Sequence, residues 1–329
     1  MTDVSRSDDV HPLHGELTTR WLHRRDFVRL AGGLVAASGL ASSAMAQNPP
    51  ASNLAPPPSW QRPVHRVANA ALSSTTQPTS VRPTGGHPNL RRGLDMARDA
   101  LAKSEAQVRD YTATLVKRER IGQTLGEHEF MMVKIRNRKI AGGQVVQPFS
   151  VYIQFLKPAA TKGREVIYVE NQNNGKLIAH EGGMKGRFLP TVSLPVDGML
   201  AMRGQRYPMT EIGVENMIVK LIDRGETALQ FDDVSADFFK NARVRDRVCT
   251  LLRVKQPTRR PELDFYQADV FLDDQLGLPI RYIAYDWPAP GSPADALGGV
   301  IEEYNYLNLQ LNVGLSDSDF DSNNPAYNF

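Results

Sequence analysis

The sequence predicts an α+β fold, a curved antiparallel half-barrel sheet of about ten strands covered by two helices. Three observations predict it. Most apolar residues between 111 and 311 alternate with polar ones in short runs separated by turn residues. Two segments instead repeat apolar residues at three- and four-residue steps. Strands and helices do not alternate regularly, which disfavours a doubly wound parallel sheet.

The first helical segment spans 89–110. Leu90, Leu94, Ala97, Leu101, Val108 and Tyr111 form its apolar stripe, Ser104 fills the missing turn, and Asn89 is the expected cap after Pro88. Extended runs follow at 111–120, 127–138, 149–156, 164–170, 176–181 and 187–194. In 149–156, Phe149, Val151, Ile153 and Phe155 point one way and Ser150, Tyr152, Gln154 and Leu156 the other. Asn173-Asn174-Gly175 is a hairpin signal between two of these runs. The second helix is expected over 210–229, capped by Thr210, with Met217, Ile218, Leu221 and Ile222 as its apolar stripe. Runs at 237–244, 247–254, 265–272, 279–287 and 300–311 complete the sheet.

Before this body lies a different kind of sequence. Arg24-Arg25, then Phe27, then a Gly/Ala-rich apolar stretch ending in Ala44-Met45-Ala46 resemble a twin-arginine export signal with a small-x-small cleavage site. The apolar stretch, about 16 residues, is short for a spanning helix. Residues 47–88 hold nine prolines among Ala, Ser, Thr and Asn, the composition of an extended linker. The expected organisation is export signal 1–46, disordered linker 47–88 and one ligand-binding-type domain 89–329. The expected location is periplasmic or otherwise exported and soluble, with no transmembrane segment in the mature chain and the twin-arginine machinery as a partner.

Charge and composition exclude several functions. The formal net charge is +3, but the linker alone carries Arg62, Arg66 and Arg82 with no acid. The remainder balances, so there is no bulk nucleic-acid footprint. A single cysteine, Cys249, excludes an internal disulfide and is expected as a buried thiol. Only His128 and His180 fall in the body, which speaks against a multi-histidine metal centre. No cofactor or metal is expected.

Local motifs are weak. His180-Glu181-Gly182-Gly183 departs from HExxH at Met184, and Asp317, Asp319 and Asp321 depart from a calcium loop at Ser322 and Asn328. They are read as a strand end with a glycine turn and as a solvated acidic tail. The acid pairs Asp232-Asp233, Asp273-Asp274 and Glu302-Glu303 are read as turn and rim positions, since neighbours on a strand face opposite ways. Lys117-Arg118-Glu119-Arg120 is a charged strand end. Arg118 or Arg120 is the candidate to reach a cleft mouth and bind a lipid phosphate or carboxylate.

Several blocks, in order, resemble a known family. They are Tyr111-Thr-Ala-Thr-Leu-Val-Lys-Arg-Glu-Arg120, Lys162-Gly-Arg-Glu-Val-Ile-Tyr-Val-Glu170, Gly175-Lys-Leu-Ile-Ala-His-Glu-Gly-Gly183 and Arg206-Tyr-Pro-Met-Thr-Glu-Ile-Gly213. The family is the bacterial domain of unknown function fifteen-seventy-one. Segments 270–281 and 304–320 look like the closing strands of the periplasmic lipoprotein-carrier superfamily. That resemblance implies a lidded half-barrel and no reaction. The linker over 47–88 departs from the compact soluble carrier, and none of the carrier's functional residues maps onto this chain.

The leading expectation is an exported, non-enzymatic protein that holds a lipid, acyl chain or apolar segment, with a lipid or acylated protein as partner. Phe149, Val151, Ile153 and Phe155 are the expected sheet lining, and Met217, Ile218, Leu221 and Ile222 the lid. Arg118 and Arg120 complete the candidate ligand-binding set. Two alternatives stay open: an envelope interaction or regulatory module with a filled core, and an envelope enzyme, for which the spacing shows no convergent polar cluster.

Overall fold

A computed structural model describes residues 87–329 apart from 294. The export signal (Arg24, Arg25, Phe27, Ala44, Ala46) and nearly all of the linker lie outside the described residues. Helix α1 spans Pro88–Gln107. Strands β1 (Asp110–Ile121), β2 (Thr124–Leu125), β3 (Glu129–Arg136), β4 (Lys139–Ala141), β5 (Gln144–Gln147), β6 (Ser150–Lys157), β7 (Glu165–Val169) and β8 (Lys176–His180) follow. A four-residue helix α2 (Gly183–Gly186) precedes β9 (Val192–Pro195), and helix α3 spans Val214–Ala228. The chain then forms β10 (Ser235–Val244), β11 (Arg247–Lys255), β12 (Gln267–Asp273), β13 (Pro279–Tyr285) and β14 (Val300–Leu311).

Twelve strands form one antiparallel, unclosed and curved sheet. Its order is β10-β11-β12-β13-β14-β1-β3-β6-β7-β8-β9, with β2 paired to β1. Strands β4 and β5 make a separate hairpin. The first strand therefore lies mid-sheet beside the last, with Lys117 opposite Tyr304. The expected fold class holds. The differences are short elements: β2, β4 and β5 were not foreseen, and the run at 187–194 contributes only Val192–Pro195.

Alternation fixes which side chains meet the helices. Val151, Ile153 and Phe155 of β6 join Leu115, Met131, Val133 and Ile218 in the main apolar cluster, with Phe149 packed at its margin. Helices α1 and α3 cover this face and contact each other. Ser104, deep in their contact, donates from Oγ to Glu215 at 3.0 Å.

Both helix caps differ from expectation. Helix α1 begins one residue earlier, with His87 at its N-cap and Pro88 in its first turn. Asn89 instead donates to the carbonyl of Ala236 at 2.8 Å. At α3, Thr210 lies in a preceding single turn and Gly213 is the N-cap. The backbone N–H groups of Gly213 and Val214 donate to the hydroxyls of Tyr306 (3.0 Å) and Tyr111 (2.8 Å). Two sheet tyrosines thus satisfy a helix start that leaves its first donors unpaired. Glycine is required at this cap, because φ is 116° and a Cβ would lie 3.0 Å from the Tyr111 hydroxyl.

The acidic C-terminal segment is not simply solvated, as expected. It crosses the outer face of the sheet, where Phe320 is buried with Tyr152, Ile167 and Val169. Tyr327 stacks on Tyr152 with centroids 4.0 Å apart. Lys134 binds Asp319 at 2.7 Å and Arg136 binds Asp317 at 2.6 Å.

Candidate functional site

Three features meet where α3 lies on the sheet. The first is an apolar cavity of about 60 Å³ between α1, α3 and β11–β13. Leu94, Ile218, Leu221, Leu252, Phe265 and Val270 are among its walls. Its narrowness comes from close helix contact. A Cβ on Gly225 would lie 2.6 Å from Leu94 Cδ2, so α1 and α3 approach as they do only with glycine at that position. The volume is well below the roughly 300 Å³ at which ligand pockets usually begin.

The expected lid and sheet residues divide between this cavity and the surrounding core. Ile218 and Leu221 line the cavity, and Met217 and Ile222 pack on the same helix against the core. Val151, Ile153 and Phe155 are buried on the same sheet face, but the cavity walls come from β11–β13 instead. Phe149 borders a separate space of about 50 Å³ beside Tyr168 and Asn216.

The second feature is a buried polar cluster at one side of the cavity. Glu302 on β14 is its centre. It accepts from Tyr207 OH at 2.7 Å and Arg206 Nε at 3.1 Å, and pairs with Arg224 Nη1 at 3.0 Å. Arg224, projecting from α3, also meets Asp264 at 3.1 Å, Tyr282 OH at 2.9 Å and Tyr207 OH at 3.0 Å. Nearby, Tyr304 OH donates to Glu119 at 2.5 Å, and Lys117 pairs with Glu119 and Glu129 at 3.2 Å. Lys220 pairs with Glu211 and sits over the Tyr207 ring at 3.2 Å.

The electrostatics follow from this pairing. Burial opposes ionisation of Glu302, but the Arg224 and Arg206 guanidinium groups outweigh it and hold the carboxyl below its ordinary range. Burial pushes the Tyr207, Tyr282 and Tyr304 hydroxyls up, with the Glu302 charge adding to it. Burial lowers Lys220 despite Glu211. The charges are paired, the tyrosines keep their protons, and the carboxylate keeps its charge. Chemically, the arrangement is suited to locking α3 and the 205–207 segment onto the sheet.

This cluster corrects two sequence readings. Glu302 is 1% exposed and central, not a rim residue. A convergent polar group does exist, assembled from β1, β13, β14, α3 and the 205–207 segment. Arg206-Tyr207 was visible only as part of a family block and Glu302 only as half of an acid pair, since no local spacing links them.

The third feature is an open cleft of about 620 Å³ on the far side of the cluster. Arg120, Arg206, Arg259, Arg260, Asp264, Asp286 and Trp287 line it. Arg120 meets Asp286 at 2.7 Å, as does Arg259. Burial would raise the Asp286 carboxyl, but the Arg120 hydrogen bond, the Trp287 N–H and both guanidinium charges hold it low. Of the two candidate arginines, Arg120 reaches this cleft, whereas Arg118 donates to the Gly126 carbonyl at 2.9 Å in an exposed turn.

Other motif readings resolve simply. Asp273 accepts from the N–H groups of Gln275 and Leu276, the expected turn. Gly182 packs against the backbone of Lys162 and Gly163. Cys249 is fully buried, and burial pushes its thiol up to about 11. Among the described residues no group of metal-ligating side chains converges.

Comparison with known proteins settles the family. The family model described as protein of unknown function (DUF1571) matches residues 108–329. The chain belongs to this family. The match begins at Val108, so α1 precedes it.

Solved structures of similar shape include a DUF1329 family protein from Desulfovibrio piger (14% identity, 71% of this chain and 98% of that chain covered, TM-score 0.33). A putative outer membrane lipoprotein-sorting protein domain from Vibrio parahaemolyticus matches at 14% identity, with the same coverage and a TM-score of 0.34. The Pseudomonas aeruginosa MucA/MucB complex matches at 15% identity, covering 70% of this chain and 61% of that chain, with a TM-score of 0.40. No curated protein matches the sequence.

Proposed function

We propose that this DUF1571 protein is an exported, non-enzymatic binding protein that takes an acyl chain or another apolar segment between α1, α3 and β11–β13. The observation that carries the reading is the apolar cavity roofed by two helices on an unclosed sheet. Its walls supply apolar area, the main source of affinity for such a ligand. The fully paired polar cluster supports binding over catalysis, because it holds Glu302 ionised and its tyrosines protonated. The twin-arginine pattern around Arg24-Arg25 supports export, and the proline-rich composition of 47–88 supports reading that stretch as a linker. Among the described residues no helix is long and apolar enough to cross a membrane.

At about 60 Å³ the cavity holds no full acyl chain, so uptake requires α1 and α3 to part from the sheet. That volume also favours a second reading, an envelope interaction module with a filled core. The test is gentle isolation of the protein from the cells that make it, followed by native mass spectrometry and lipid extraction. A stoichiometric lipid or acyl peptide supports the first reading. A clean apo mass, with no uptake of offered fatty acids or acylated peptides, supports the second.

A further inference from the structure

We propose that the cleft lined by Arg120, Arg206, Arg259 and Arg260 is a phosphate-binding site. Of the four guanidinium groups in its lining, Arg206 pairs with Glu302 and Arg260 with Asp233, while Arg120 and Arg259 share the single carboxylate of Asp286, which leaves that pair one positive charge in excess. The cleft, about 620 Å³, is open to solvent and roomy enough for a phosphate ester.

Arg120 and Arg259 are positioned without being used up. Asp286 receives one bond from Arg120 and one from Arg259, each through Nη2. Among the described residues these are the only hydrogen bonds either guanidinium makes, so each fork keeps donors for a second acceptor. Arg259 is also held over the Trp287 ring at 4.8 Å. The buried indole N–H of Trp287 has no acceptor among the described residues. Guanidinium forks anchored in this way match phosphate oxygens in geometry and charge.

The site's position suggests the rest of the ligand, and this step rests on the apolar-ligand reading above. Leu263 and Asp264 line the cleft, and Phe265 lines the apolar cavity. Arg224, which borders the cavity, bonds Asp264, which borders the cleft, at 3.1 Å. One stretch of chain therefore separates an apolar space from a cationic one. A phosphate esterified to an acyl glycerol would place its chain on one side and its head on the other.

The test is calorimetric titration of the full chain at low ionic strength with three probes: glycerol 3-phosphate, octanoyl glycerol and octanoyl glycerol 3-phosphate. The variants are R259Q, whose guanidinium side chain is 65% exposed, and R120Q, with R243Q on β10 as control. The expected result is that octanoyl glycerol 3-phosphate binds most tightly, and that R259Q and R120Q each weaken it about tenfold. R243Q is expected to leave binding unchanged, and added salt to weaken it.

Glycerol 3-phosphate binding as tightly as the acylated probe, with the same sensitivity to R259Q, would keep the phosphate site and overturn the acyl reading. Octanoyl glycerol binding as tightly as its phosphate, unaffected by R259Q and R120Q, would overturn the phosphate site and keep the acyl reading. Binding of none of the three would overturn both.

Discussion

The two faces of the sheet are covered by different means. On one, α1 and α3 lie over a continuous apolar cluster and are tied down by Arg224, Glu302 and two tyrosine caps. On the other, the C-terminal segment covers only the region of β3, β6 and β7, through Phe320, the Tyr327–Tyr152 stack and two ion pairs. The contrast teaches that alternation along a strand creates two faces but does not say how firmly each is held. Firmness depends on whether the charges that join cover to sheet are shielded from water.

The largest effect should come from breaking the buried lock. Glu302→Ala leaves Arg206, Arg224 and Tyr207 without their shared acceptor, and urea denaturation should show a loss of about 3–5 kcal/mol. Overpacking the same face comes next. Gly225→Leu drives a side chain into Leu94 and should cost about 1–3 kcal/mol. If the helices do part to admit ligand, this variant should also take up an apolar dye more readily than the parent.

On the outer face, Tyr327→Ala should cost about 1 kcal/mol beyond the apolar area it uncovers. Limited proteolysis should then release 313–329 while the rest of the domain stays intact. Loss of the whole domain's protection in that variant would show the two faces to be one cooperative unit.

Acid should act on both faces with the same sign. Burial alone would raise Glu302 and Asp319, but Arg224 and Arg206 hold the first low, and Lys134 with the Ser316 N–H holds the second low. Each contribution is fully present above the ordinary carboxylate range, near pH 4, and fades as pH falls through the depressed folded value. Because the Lys134–Asp319 pair is partly exposed, Asp319→Asn should change stability by about 1 kcal/mol or less. A stability difference between Asp319→Asn and the parent that changes with pH above pH 6, rather than staying constant there, would contradict this assignment.

Legibility in the sequence followed the range of each interaction. The alternation of Phe149–Phe155 and the three- and four-residue steps of Met217–Ile222 report their own burial, so strand, helix and face could be read locally. The cap of α3 could not, because its acceptors are Tyr111 and Tyr306, remote in sequence from Gly213. Glu302 looked like half of an acidic doublet until Arg206, Tyr207 and Arg224 arrived from other elements. The outer cover was masked by composition: aromatics at 320, 327 and 329 lie in a segment with acids and no bases, and their partners Lys134 and Arg136 sit on β3. Arg120 was legible as a charge able to reach a cleft, but Arg259 and Arg260 lie in a linking segment with no periodicity to place them.

The strand order has a consequence for biosynthesis. Strand β1 is made early, yet one of its long edges pairs with β14, so Leu115 waits for Tyr306. A chain still on the ribosome has β1 and β3 but lacks the strand that joins them to β10–β13. The two sheet halves therefore close only after residue 311 has emerged, and pairing over such a sequence distance makes folding slow. Until then the edge of β1 and the apolar face beneath the helices stay open, and unpaired edges and exposed apolar faces of this kind are where nascent chains aggregate.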